Sequence, residues 1–243
     1  MRHQQPNPRR GVDSVDAAAP LGRAVSVAVG PILLEVDLTI PRLARGIVVF
    51  AHGSGSSRHS PRNKFVASEL QKAGMATLLM DLLTRNEERY EDAGGRLRFD
   101  IELLAHRLTG ASRWLELQRD TVALPMGYFG ASTGAAGALV AAARQPDRVA
   151  AVVSRGGRPD LAGDALPAVR APTLLIVGGE DVPVIGMNQR AYDDLRCPKE
   201  LKIVSGATHL FEEPGALEQV ARLASGWFEC HLGGSGGGES EET

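Results

Sequence analysis

A serine flanked by two glycines is the strongest candidate for chemistry in this chain. It lies in the segment Pro125 to Arg144, PMGYFGASTGAAGALVAAAR, where an apolar run predicts a strand and the alanine-rich run after it predicts a helix. Gly130 and Gly134 allow a sharp turn between the two elements, which would expose the Ser132 hydroxyl above a sheet. A strand, turn and helix of this kind form a nucleophile elbow, so we predict that Ser132 attacks a substrate carbonyl.

A serine hydroxyl is a poor nucleophile unless a base removes its proton and an acid orients that base. Asp181 follows a predicted strand in the sequence GGED, and His209 lies in a loop after the next strand. Glu180 and Asp81 also lie at predicted strand ends and are alternative acids. The chain order Ser132, Asp181, His209 is the order of the α/β-hydrolase arrangement and favours Asp181.

Acyl transfer also needs hydrogen-bond donors for the oxyanion that forms in the transition state. The Thr133 amide follows the nucleophile at a helix N-terminus, and we predict that the Ser54 amide supplies the second donor. Gly53 would admit close approach of the substrate carbonyl. His52 precedes this glycine turn, where its imidazole is expected to brace the loop. No histidine pair occurs at i, i+4 with a third ligand in register, so no metal site is expected.

Alternating strands and helices must position these residues. Continuous apolar runs, typical of strands buried on both faces of a parallel sheet, occur at 47–51, 76–80, 149–153 and 173–177, with a shorter one at 201–204. Alternation between Ala24 and Ile40 predicts an antiparallel hairpin. Helices are expected at 63–73, from 101 behind an Asp100 cap, and at 215–231. The charged segment Leu83 to Phe99 is predicted to be a mobile surface loop. The pattern indicates a mostly parallel α/β sheet covered on both faces.

Composition narrows the function classes. The 243 residues, 43% of them hydrophobic, suffice for one domain, which we predict over 23–232 between a disordered N-terminal segment at 1–22 and a flexible glycine-rich acidic tail at 233–243. A net charge of -2 gives no electrostatic surface for nucleic acid. The sequence shows neither a membrane-spanning run nor a secretory signal, which predicts a cytoplasmic protein. Two cysteines are too few for a disulfide framework.

The segments HGSGSSRHSPRN, GASTG, GGED and ATH together resemble the dienelactone hydrolase branch of the α/β-hydrolases. The resemblance covers residues 24 to 231 approximately and implies an eight-stranded sheet, hydrolysis of esters or lactones, and no cofactor. Dienelactone hydrolase itself uses cysteine as its nucleophile, where this chain has Ser132. Ordinary serine carboxylesterase chemistry on a small-molecule ester is therefore the expectation.

Three further residues are expected at the rim of the site. Arg58 and His59 follow the His52 turn, and Arg155 follows the strand after the elbow helix. Because dienelactone hydrolase binds a substrate carboxylate with arginines, the resemblance implies such a role for Arg58 and Arg155. The alternative is that both arginines brace loops, as surface arginines usually do.

Several functions share this chemistry. A peptidase or thioesterase would use the same acyl-enzyme with a different leaving group, and a catalytically silent binding or regulatory domain could keep the fold. The connection from Ser154 to Pro172 is too short for an inserted lid domain. Without a lid to form a deep apolar tunnel, short or medium acyl esters are the expected substrates. The oligomeric state does not follow from the sequence.

Overall fold

A computed structural model describes residues 21–233 of the chain. Within that range eight strands alternate with six α-helices. The strands are β1 (Leu21–Val29), β2 (Ile32–Ile40), β3 (Gly46–Ala51), β4 (Met75–Met80), β5 (Met126–Ala131), β6 (Val149–Arg155), β7 (Thr173–Gly178) and β8 (Lys199–Val204). The helices are α1 (Pro61–Lys72), α2 (Arg85–Asp92), α3 (Ile101–Leu115), α4 (Thr133–Arg144), α5 (Val182–Asp194) and α6 (Ala216–Leu232).

One sheet contains all eight strands, in the order β1-β2-β4-β3-β5-β6-β7-β8. The hairpin of β1 and β2 is antiparallel, as is the pair of β2 and β4, and every pair from β4 to β8 is parallel. The predicted hairpin and mostly parallel sheet are confirmed. Strand β3 has β4 on one side and β5 on the other, so the order of the strands reverses direction at β3. In open α/β sheets ligands bind at such a point, beyond the carboxyl ends of the strands.

Helices cover both faces of the sheet because alternate residues of its inner strands point to opposite sides. Val49 and Tyr128 belong to one apolar cluster, packed against α3, α4 and α5. Phe50 and Phe129, the next residue on each strand, belong to the other cluster, packed against α1 and α6, with their ring centroids 4.9 Å apart. Burial on both faces explains why these strands appear in the sequence as unbroken apolar runs.

The prediction of an irregular loop from Leu83 to Phe99 is wrong. Helix α2 begins there with a capping box, in which Thr84 Oγ1 accepts from the Glu87 amide at 3.3 Å and the Glu87 carboxylate accepts from the Thr84 amide at 2.7 Å. A 3-10 helix at Leu97–Phe99 then leads into α3. The predicted cap of α3 is confirmed, since the Asp100 carboxylate accepts from the Leu103 amide at 2.9 Å.

At the amino-terminal end, β1 begins at Leu21, inside the segment predicted to be disordered, because Leu21 pairs with Ile40. The rest of that segment, and the glycine-rich tail beyond Gly233, lie outside the described residues. The connection between β6 and β7 contains a 3-10 helix at Pro159–Ala168 and no inserted domain. Between residues 21 and 233, no helix has the length and apolarity that crossing a bilayer requires.

Candidate active site

The elbow predicted around Ser132 is formed between β5 and α4. Ser132 has φ 51° and ψ −126°, a backbone conformation that residues with a side chain rarely adopt. A Cβ on Gly130 would lie 2.4 Å from Ala135 Cα, and a Cβ on Gly134 would lie 2.4 Å from two carbonyl oxygens at the end of β3. Both glycines are therefore required for the close approach of the helix to the sheet.

A short hydrogen bond joins the predicted base and acid. His209 lies in the loop between β8 and α6, Asp181 lies just after β7, and His209 Nδ1 is 2.6 Å from Asp181 Oδ2. The carboxylate accepts from Nδ1–H, which leaves the Nε2 lone pair free to take a proton. Of the alternative acids, Glu180 is exposed and Asp81 is bound to Arg58. The geometry thus agrees with Asp181.

The elbow and the histidine loop both lie against the end of β6. Ser132 N donates to the carbonyl of Arg155, the last residue of that strand, at 3.4 Å. A Cβ on the next residue, Gly156, would lie 3.6 Å from His209 Nδ1, so the histidine loop packs beside the strand that adjoins the elbow. Ser132 Oγ makes no hydrogen bond to any residue in the described part of the chain. Catalytic hydrogen bonds commonly tighten only when substrate binds.

Of the two predicted oxyanion donors, one is already engaged. Thr133 N, at the start of α4, has no acceptor among residues 21–233, as expected for the first amide of a helix. Ser54 N instead donates to Thr133 Oγ1 at 3.1 Å, because the threonine side chain reaches across the turn. The Ser54 amide, predicted as the second oxyanion donor, is therefore bound within the protein instead. A Cβ on Gly53 would lie 2.9 Å from Ser132 Cβ, so this glycine lets the turn pack directly on the nucleophile.

Two consecutive residues after β4 fix both ends of the turn that carries Ser54. At the first end, His52 Nδ1–H donates to the Gly53 carbonyl at 2.9 Å, and His52 Nε2 accepts from Leu82 N at 3.1 Å. At the second end, Arg58 N donates to Asp81 Oδ1 at 2.7 Å. Burial lowers the pKa of His52, which keeps the imidazole neutral. The bracing role predicted for His52 is confirmed.

The side chain of Arg58 is directed at carboxylates of the protein itself. Its guanidinium pairs with Asp81 Oδ2 and lies 3.6 Å from Asp37. The two partners of the closer pair are 15% and 12% exposed. This arrangement corrects the expectation that Arg58 is available to a substrate carboxylate, and agrees with the alternative that it braces its loop. His59, by contrast, is exposed on the wall of the adjoining cavity, with Nδ1 3.4 Å from Lys64 Nζ.

Arg155 is buried beneath the histidine loop instead of lying on the rim. It is 7% exposed, its Nη2 lies 3.4 Å from Asn63 Oδ1, and its guanidinium lies 5.9 Å from the centre of the Phe211 ring. Burial, together with repulsion from Arg62, lowers its pKa to about 10. Within residues 21–233 no carboxylate pairs with it. The expectation that Arg155 binds substrate from the rim is corrected, because Phe211 covers the guanidinium.

A cavity of about 490 Å³ adjoins the elbow at Thr133. One wall is formed by residues of the segment 52–61. The facing wall is formed by Glu88 and Glu91 of α2 and by Arg98, within the segment predicted to be a surface loop. Glu91 and Arg98 form an ion pair there, in which the Glu91 side chain is 1% exposed. Sequence reasoning missed these residues, although the capping box of α2 could have revealed them. The charged side chains of the cavity are Glu88, Glu91 and Arg98, and its polar side chains are His52, Ser54, Ser56, Ser57, His59, Ser60 and Thr133.

In the part of the chain that the structure describes, no three His, Cys, Asp or Glu side chains gather closely enough to hold a metal ion. Cys197 is buried and Cys230 is exposed, and both are free thiols.

A mostly parallel sheet with a strained serine turn after β5, and with an aspartate after β7 bonded to a histidine after the last strand, is the arrangement of an α/β-hydrolase. Within that class the chain belongs to the dienelactone hydrolase family, whose family model matches residues 35–228. The family resemblance carried by the sequence motifs is confirmed.

Solved structures and curated proteins agree with this placement. The crystal structure of dienelactone hydrolase from Anabaena variabilis is 62% identical, with a TM-score of 0.86 over 88% of this chain and 99% of that one. Est1E from Butyrivibrio proteoclasticus, solved with ferulic acid bound, has a TM-score of 0.72 over 86% and 99%, but at 16% identity it shows the fold alone. A Mycobacterium tuberculosis protein provisionally named a phosphoribosyl transferase is 60% identical over 226 residues, covering 92% of this chain and 50% of the relative. The chain spans about half the length of the curated relatives it matches.

Proposed function

We propose that this chain is a serine hydrolase that cleaves small or medium carboxylic esters or lactones through an acyl-enzyme on Ser132. The observation that carries the proposal is the hydrogen bond between His209 and Asp181 at the sheet edge where the elbow holds Ser132. A histidine with its Nδ1–H held by a carboxylate presents Nε2 as a base, which is what a serine nucleophile needs.

In the proposed reaction, Ser132 Oγ attacks the carbonyl carbon while its proton passes to His209 Nε2. The carbonyl π electrons move onto the oxygen atom, and the Thr133 amide donates a hydrogen bond to the oxyanion that forms. His209 then protonates the leaving alcohol, and water repeats the sequence to release the acid. Asp181 remains ionised throughout, orienting the imidazole and stabilising the imidazolium.

Nucleophile identity separates this chain from the enzyme after which its family is named. A cysteine thiol is partly ionised at neutral pH and strongly nucleophilic, whereas a serine hydroxyl depends on its base. Serine at position 132 therefore favours general ester hydrolysis over the dienelactone reaction.

The cavity supports a small, uncharged substrate. Its volume of about 490 Å³ lies within the usual range for small-molecule sites. Its charged residues are two carboxylates and one guanidinium, and that guanidinium pairs with Glu91. A substrate carboxylate would gain no net attraction there. We therefore propose neutral esters, with contacts from the serine hydroxyls of the turn and from His59.

Transferase activity named for the mycobacterial relatives is not assigned to this chain. Those proteins are about twice as long as the part matched here. The family match accounts for residues 35–228, and it is a match to hydrolases. We propose that the hydrolase activity belongs to the half represented by this chain.

Covalent labelling by a fluorophosphonate tests the mechanism. The reagent forms a bond between Ser132 Oγ and phosphorus with loss of fluoride, so the purified wild type should be labelled and Ser132→Ala should not. Ser225→Ala on α6 is the matched control, because this serine lies on a helix that packs on the sheet away from the elbow. Labelling of Ser132→Ala at the wild-type rate would exclude the proposed nucleophile.

Substrate class is tested with a panel of chromogenic esters, thioesters and aminoacyl amides at matched acyl lengths. The highest kcat/KM is expected for esters of short or medium acids. Preference for thioesters or amides would identify a thioesterase or a peptidase with the same three residues. A wild type that neither turns over substrate nor accepts label would identify a silent binding domain.

A further inference from the structure

The hydroxyl of Thr133 lies beside the Ser54 amide, which the sequence predicted as an oxyanion donor. It accepts a hydrogen bond from Ser54 N at 3.1 Å. Thr133 as a whole residue is only 4% exposed. Thr133 also lines the cavity beside the elbow. Any amino acid except proline at this position would supply the backbone amide, so the hydroxyl calls for a separate explanation.

The hydrogen atom of that hydroxyl has no partner. A hydroxyl has one donor and two acceptor positions, and Thr133 Oγ1 uses an acceptor position for the Ser54 amide. Its hydrogen cannot point at Ser54 N, which is itself a donor. No acceptor for it occurs among residues 21–233. A buried donor without an acceptor is costly and is expected to be satisfied by a ligand.

We propose that the Thr133 hydroxyl is the second donor of the oxyanion hole and that it also holds the Ser54 amide in place. This inference rests on the proposed function and assigns to a side chain the role that the sequence predicted for the Ser54 amide. When Ser132 Oγ bonds to the carbonyl carbon, its proton goes to His209 and the π pair moves to the carbonyl oxygen. That oxygen then accepts from Thr133 N and from Thr133 Oγ1–H.

Three substitutions at one position test the role of the hydroxyl. Thr133→Val has the same shape without the hydroxyl, Thr133→Ser retains the hydroxyl, and Thr133→Ala removes both branches. Thr133→Val should lower kcat roughly 10- to 100-fold, the usual effect of losing one hydrogen bond to a charged group, with little change in KM. Thr133→Ser should remain near the wild-type rate, and Thr133→Ala should match the valine variant. Thr39→Val on β2, away from the site, is the control for the substitution itself.

A second measurement separates a donor from a structural residue. The phosphonyl oxygen of a fluorophosphonate occupies the oxyanion position, so the labelling rate of Thr133→Val should fall in parallel with kcat. Urea unfolding should show that the variants stay folded. An unchanged or higher kcat for folded Thr133→Val would overturn the proposal and show that the hydroxyl merely blocks Ser54 N. A rise in KM at constant kcat would also overturn it. If the wild type itself showed no esterase activity, that result would instead count against the proposed function.

Discussion

Replacing Arg58 with methionine distinguishes a loop brace from a substrate ligand. The substitution keeps most of the aliphatic packing and removes the guanidinium from Asp81. Loss of one partner of a fully buried ion pair costs about 3–5 kcal/mol, because the other charge remains buried without compensation. Here the side chains are 15% and 12% exposed, and Asp81 keeps its bond from the Arg58 amide. We therefore expect Arg58→Met to lower the free energy of unfolding by about 2–3 kcal/mol.

For a chain of this length that loss corresponds to a decrease in Tm of about 4–12 °C, measurable by urea and thermal unfolding. Asp81→Asn is the matched variant, since it removes the orphan carboxylate charge. The double variant should therefore be more stable than Arg58→Met alone. The relative kcat/KM for a carboxylate-bearing ester and its methyl-capped analogue should stay constant in Arg58→Met. Unchanged stability together with loss of a wild-type preference for the charged ester would refute this reasoning and restore Arg58 as a substrate ligand.

Other variants test separate parts of the site. Asp181→Asn should lower kcat by about 10⁴ in the chromogenic ester assay without a comparable loss of stability, and Asp81→Asn should lower it much less. Burial lowers the pKa of His52 below 6.5, so the unfolded chain binds a proton at this histidine more readily than the folded chain does. The free energy of unfolding should therefore fall as the pH drops below 6.5. His52→Gln should weaken this pH dependence in urea titrations. Gly134→Ala should leave little folded, labelled protein, since its Cβ would meet backbone oxygens at 2.4 Å. No increase in rate is expected above the solubility limit of a long-chain triglyceride.

The features that could be predicted from the sequence are those that depend on residues close together in the chain. The elbow is such a case, since the strained backbone of Ser132 and the close packing of Gly130 and Gly134 are produced by five consecutive residues. The inner strands could also be predicted from the sequence, because a strand that is buried on both faces consists of an unbroken apolar run. Chain order was enough to select Asp181 over its neighbour Glu180, and the hydrogen bond to His209 agrees with that choice.

Two contacts between distant residues that hold the turn from His52 to Arg58 were not predicted. The bond between Ser54 N and Thr133 Oγ1 joins residues 79 positions apart, and the pair of Arg58 and Asp81 joins residues 23 apart. Nothing in a charged residue's local sequence shows whether a partner lies across the fold. Helix α2 was missed for another reason, because RNEERYED has almost no apolar residues from which to recognise a buried face.

The same contacts explain why stability and catalysis should separate into two groups of variants. Asp81 and Leu82, at the end of β4, hold the turn from His52 to Arg58, and that turn carries the Ser54 amide. Loosening this brace costs folding free energy and also displaces a group held against the site, so stability and kcat should fall together. In the proposed mechanism Thr133 and Asp181 contact the reacting groups themselves, so their loss should lower kcat with little effect on unfolding. A variant of the turn that unfolds easily yet retains full kcat would show that the turn needs no brace to position its amide.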